Sequence, residues 1–146
     1  MQLIKFFVLA LFLAVVGFAI WRFVDFGSKA SSEDVLAQSL AVQVNSEGEV
    51  EISVQPKKIS PTSATWDFKI SMDTHSVELN DDLTAVSLLV ADGNVFSPVA
   101  WEGPSEGGHH RGGILKFPAV NPLPQTLEIL IRGVGDVPMR SFGWEL

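Results

Sequence analysis

Apolar residues along this chain follow two regimes. Phe6 to Trp21 is an unbroken apolar run of 16 residues, with Lys5 before it and Arg22 after it. From Leu40 onward, apolar and polar positions instead alternate with period two, the pattern of strands that bury one face. The first regime predicts a helix. Extended through Leu3-Ile4 and Phe23-Val24 it holds 22 residues with only those two charges. At about 1.5 Å per residue it measures roughly 33 Å, close to the thickness of a bilayer core. Lys5 and Arg22 can snorkel to the two interfaces, and Trp21 suits the headgroup level.

Residues 1–24 therefore read as a single-pass transmembrane signal anchor, with residues 3–24 in contact with the lipid bilayer. The rival reading is a cleaved signal peptide, which would leave a secreted protein. The short basic start fits it. However, cleavage after Gly17-Phe18-Ala19 would cut inside the apolar run, and cleavage after Ser28-Lys29-Ala30 leaves bulky residues in between. Both readings put the rest of the chain outside the cytoplasm. Residues 25–39 read as a linker around Gly27-Ser28-Lys29-Ala30-Ser31-Ser32, which has no apolar period.

Residues 40–146 form the second regime. Leu40, Val42 and Val44 alternate, and Asn45-Ser46-Glu47-Gly48 makes a turn. Val50, Ile52 and Val54 alternate next, and Pro56 is expected to end that strand. Trp66, Phe68, Ile70 and Met72 alternate with Asp67, Lys69, Ser71 and Asp73, the cleanest strand pattern in the chain. Thr84 to Ala91 is nearly all apolar, as in a central strand. Asp92-Gly93-Asn94 is a hairpin signal, with Val95 to Trp101 as the partner strand. Ile114 to Phe117, Thr126 to Ile131 and Phe142 to Leu146 complete the series. The expected fold class is all-β, an antiparallel immunoglobulin-like β-sandwich of about seven to eight strands.

Composition then removes options. The chain has no cysteine, so disulfides, thiolate zinc, His₂Cys copper and cysteine nucleophiles are excluded. From Glu33 onward there are 16 acidic and 7 basic residues, a net charge near −9. That balance argues against nucleic acid and against an electrostatic grip on anionic lipid.

The candidate chemistry centres on Gly107-Gly108-His109-His110-Arg111-Gly112-Gly113. Such glycine density marks a sharp turn or a close approach. Three candidates arise here. His109 and His110 could share a transition metal with His75, copper or zinc being the natural ions for imidazole. His75 has the outward parity of its strand, or lies just past the strand's end. The bland reading is a structured loop whose imidazoles bond carbonyls or carboxylates. Arg111 could bind an anion in a glycine nest, or pair internally with Glu102, Glu106 or Asp73. Trp101, with Glu102 after it, could line a ligand groove, or sit at a sandwich corner. Gly103-Pro104-Ser105-Glu106-Gly107 matches a nucleophile-elbow spacing, but Pro104 and the following glycines prevent the helix such an elbow requires. The acids around Asp81-Asp82 lack calcium-loop spacing.

Asp73-Thr74-His75-Ser76-Val77-Glu78-Leu79, Trp101-Glu102-Gly103, the histidine segment through Phe117, and the terminal Phe142-Gly143-Trp144-Glu145-Leu146 form a set. Together they resemble an uncharacterised family of exported or membrane-anchored bacterial β-sandwich proteins. The resemblance covers roughly Val50 to Leu146. It implies fold and location and supplies no catalytic residue. The functional expectation is a non-enzymatic binding or accessory module facing the cell envelope and anchored in the cytoplasmic membrane. The working surface expected is His75, Trp101, Glu102 and His109-His110-Arg111. The alternative is an assembly subunit of a membrane complex, bound to a membrane protein partner, in which the histidine loop is structural.

Overall fold

The computed structural model describes residues 40–146. Residues 1–39, and with them the expected membrane segment and linker, lie outside the described residues. Period-two patterning becomes strand almost wherever it is unbroken. The elements are β1 (Gln43–Asn45), β2 (Val50–Lys58), β3 (Thr65–Thr74), a one-turn helix α1 (Leu83–Val86), β4 (Ser87–Ala91), β5 (Asn94–Phe96), β6 (Ala100–Glu102), β7 (His110–Pro118), β8 (Thr126–Ile131) and β9 (Arg140–Glu145). A 3-10 turn at Val134–Asp136 precedes β9.

Two antiparallel sheets result. One has the order β1-β2-β3-β7-β6, the other β5-β4-β8-β9. Trp66, Phe68, Ile70 and Met72 are fully buried, as their alternation requires. They share one core with Leu89, Ile129, Ile131 and Phe142 of the other sheet. Phe68 is the hinge of that packing. It meets Phe117 edge-on at 5.7 Å within its own sheet and Trp144 of the other sheet at 6.1 Å. Each such aromatic contributes about 2–3 kcal/mol of apolar burial, which suits a domain without disulfides.

The two sheets are laced along one side. β1 pairs with β2 through its backbone. Toward β9 the segment 41–45 is held through side chains at every second residue. Trp144 Nε1 donates to Ala41 O at 2.7 Å, and Gln43 Nε2 donates to Gly143 O at 3.2 Å. Arg140 Nε donates to Asn45 Oδ1 at 2.9 Å. Arg140 is 1% exposed, and its other donors reach the carbonyls of Val134, Glu47 and Val50. Burial pulls its pKa below the ordinary arginine value.

Several strand expectations change. Thr84 to Ala91 divides: Asp82 caps Leu83–Val86 by accepting from Thr84 N at 2.9 Å, and the strand starts only at Ser87. Val95 to Trp101 becomes two short strands in different sheets, with Pro98 between them. β2 runs through Pro56, with a register shift between Pro56 and Lys58. Proline is tolerated there because Pro56 lies beyond the reach of β1, which pairs with β2 only over Ile52–Val54, and borders the register shift.

Candidate functional site

The glycine-rich segment is half loop and half strand. His110 to Gly113 belong to β7, and only Gly103 to His109 form the connection from β6. Antiparallel pairing puts His110 opposite Asp73 and Arg111 opposite Met72. Thr74 N donates to His109 O at 2.9 Å, extending the ladder by one step. Gly107 and Gly108 then take φ values of +109° and +77°, a conformation that side chains disfavour. That turn lets Gly107 N reach Leu79 O at 2.8 Å and Leu79 N reach Gly108 O at 3.0 Å. The loop is thereby sewn to the chain that follows β3.

The side chains complete the seam. Glu78 Oε2 accepts from Gly108 N at 2.7 Å, and its Oε1 lies 3.6 Å from His109 Nε2. His110 Nδ1 lies 2.7 Å from Asp73 Oδ1, and Ser71 Oγ donates to the other carboxylate oxygen at 3.2 Å. His75 sits just past β3, exposed, as its parity predicts. Its ring meets that of His110 edge-on at 6.3 Å between centroids. Thus His75 and His110 are neighbours, while His109 turns to Glu78. Among the described residues no group of three or more His, Asp or Glu side chains is placed to hold a metal ion. A shallow groove of about 310 Å³ beside His75 is lined by Ser46, Gly48, Glu49, Glu51, Asp73 and Thr74.

Arg111 differs most from its expectation as an anion-binding residue. It is 3% exposed and faces inward, on the parity of Leu115 and Phe117. Its Nη1 donates to Asp81 O at 2.5 Å and to Leu79 O at 3.5 Å, and its Nε donates to Pro104 O at 3.4 Å. Its guanidinium carbon stands 5.4 Å from the Trp101 ring centroid, within cation–π range. An internal carboxylate pair was the other expectation, yet the hydrogen-bond acceptors are three backbone carbonyls. At 3% exposure the cation offers almost no surface to a ligand anion.

Trp101 is half-buried, and its indole N–H donates to Pro104 O at 2.9 Å. Its ring fills the space a side chain at 113 would need. A Cβ on Gly113 would lie 2.8 Å from Trp101 Cη2 and 2.5 Å from Glu102 O. A Cβ on Gly103 would collide with the same indole. Gly113 and Gly103 thus make room for an aromatic, not for a ligand. Glu102 turns away to solvent and pairs with Lys116 at 3.1 Å, which raises the lysine pKa.

Sequence reasoning named the loop but missed the depth of Arg111. The alternation read backward from Phe117 and Leu115 through Gly113 marks position 111 as inward. Chemically, the arrangement holds backbone: guanidinium, carboxylates and imidazoles are each engaged with the chain itself. Comparison with known protein families, with curated proteins and with solved structures finds no match.

Proposed function

We propose that the chain is a non-enzymatic accessory module of the cell envelope, with residues 3–24 anchoring it in the cytoplasmic membrane and residues 40–146 outside the cytoplasm. In this reading the two sheets form an immunoglobulin-like sandwich of the exported family named above. The module serves as an interaction subunit of a membrane complex, and the His109-His110-Arg111 segment braces the domain. One observation carries the structural role of the segment. Arg111 is buried against three carbonyls, while Glu78 and Asp73 take the loop's N–H and its imidazoles. Groups consumed in this way stabilise a presented surface and leave little free chemistry.

The test uses the full chain in mild detergent. Native electrophoresis is expected to find it in an assembly larger than itself, unchanged by the double substitution His109→Gln and His110→Gln. Calorimetry with Zn²⁺ and Cu²⁺ is expected to give no saturable uptake. Stoichiometric uptake lost in the double variant would instead establish the metal site on His75, His109 and His110. Migration at the monomer mass would remove the assembly role.

A further inference from the structure

The outward face of the four-stranded sheet does not look like a solvated surface. On the other sheet the outward positions of β2 and β3 include Glu51, Ser53, Gln55, Asp67, Lys69 and Ser71, all polar, and the apolar outward residues Val44 of β1 and Ile114 of β7 stand two strands apart. On this sheet, Leu88 and Val90 of β4 and Leu130 of β8 point away from the core, and Val95 of β5 is 60% exposed. Register places Leu88 beside Leu130, and Val95 beside Val90. An antiparallel sheet with one free face ordinarily alternates apolar-in and polar-out. Here β4 is apolar on both sides.

The row continues from Val90 to Glu128 and on to Gly143. Gly143 sits in mid-strand, at an ordinary negative φ, and a Cβ there would meet only Leu127 O, at a comfortable 3.9 Å. The fold therefore does not require glycine at 143, and glycine weakens a strand. Its remaining physical use is to leave space. A groove of about 530 Å³ lies over it, lined also by Val90, Glu128, Trp144 and Glu145. Glu145 is exposed, and no strand position on this face carries Lys or Arg. A second copy of this face brings one base, the exposed Arg132 just past β8, against the two acids Glu128 and Glu145, and an anionic lipid surface meets repulsion. The open edge strands β5 and β6 are three residues each, too short to offer much main-chain pairing to an added strand.

We propose that this face is the docking site of a partner protein, which lays bulky apolar side chains over Leu88, Val90 and Leu130 and a lysine or arginine against Glu128 and Glu145, with Gly143 kept bare for close approach. The proposal rests on the reading of the chain as an interaction subunit and names the surface and the chemistry of its partner. Glycine at 143 is then a stability cost retained for binding. Gly143→Val should raise the melting temperature or leave it unchanged, and yet abolish docking.

The experiment is photo-crosslinking in cells, with benzoylphenylalanine at Val95 of the full chain and, as a control, at Ser53 on the opposite sheet. The expected result is one protein adduct from position 95 and none from position 53. Its crosslinked peptide should carry apolar residues next to Lys or Arg. Gly143→Val and the pair Glu128→Lys with Glu145→Lys should each reduce the adduct at least tenfold at equal protein level. An adduct of twice the chain's mass, a lipid adduct alone, no adduct, or an adduct indifferent to Gly143→Val overturns the proposal. If the native assembly persists without a position-95 adduct, the interaction role stands and this face is not its surface. If the assembly is absent as well, the broader reading fails.

Discussion

Replacing Arg111 by Met sets two large effects against each other. The guanidinium is almost fully buried and donates to backbone carbonyls, not to a carboxylate, so its removal relieves a desolvation cost of several kcal/mol. Against that stand its bonds. Leu79 O keeps a donor in Gly107 N, and Pro104 O keeps one in the Trp101 indole. Asp81 O loses its guanidinium donor, at 2.5 Å. A hydrogen bond to a charged group contributes about 1.5–3 kcal/mol. The Trp101 contact adds about 1 kcal/mol, and Met keeps most of the stem packing. If the carbonyls have been arranged to replace the cation's hydration, the variant loses about 2–4 kcal/mol. In a domain of this size that lowers the melting temperature by roughly 10–25 °C. Arg111→Lys should lose nearly as much, because an ammonium cannot reach the carbonyls on both sides of the fork. The assay is urea and thermal unfolding of the full chain in detergent, followed by tryptophan fluorescence. An Arg111→Met variant as stable as wild type, or more so, refutes the reasoning: the cation would then cost the fold what its contacts return.

Other substitutions test separate contacts. Gly113→Ala forces a methyl to 2.5 Å from Glu102 O and 2.8 Å from the Trp101 ring; we expect a loss of about 1–3 kcal/mol and a change in Trp101 emission, readable in the same unfolding curves. Trp66→Phe removes the buried indole bond to Ser60 O at 2.7 Å and should cost about 1–3 kcal/mol, measured as a shift in the urea midpoint at constant slope. Asp92 accepts from Thr126 N and Gln125 N, which hold its pKa below 3.8; its contribution is full above pH 3.8 and fades as pH falls through the lower folded value. Asp92→Asn should therefore destabilise at pH 7 and flatten the acid limb of a melting-temperature profile, whereas an unchanged limb would show that the caps carry no linkage.

Alternation carried most of the fold. β2, β3, β8 and β9 lie where period two runs unbroken, since one buried face imposes that period directly. It failed ahead of β2, where Val42 and Val44 carry the alternation yet are exposed, and where two explanations shared one pattern. Thr84 to Ala91 is apolar on both parities, so a strand with two apolar faces could not be told from a capped helical turn followed by a strand. Val95 to Trp101 looked continuous because the change of sheet at Pro98 is a tertiary event. The candidate site was half legible. The exposure of His75 followed from parity, and the glycine pairs marked a constrained segment. The inward turn of Arg111 was missed because charge was given more weight than alternation. Arg140 has the same parity as Phe142 and Trp144 and escaped for the same reason. The carbonyls that receive both arginines belong to loops, whose placement no local pattern encodes.

The lacing of β1 has a mechanical consequence. In the anchored arrangement proposed above, any tension between membrane and partner enters the domain at Leu40. β1 meets it with backbone pairs to β2 on one side and the Trp144, Gln43 and Arg140 side-chain bonds to β9 on the other. These bonds run crosswise to the strand. A pull along β1 therefore shears them together, where a pull across it would peel them one by one. A three-residue strand at the tethered end thus spreads a load over both sheets, so that tension reaches the core as a shared strain and not as an opened edge.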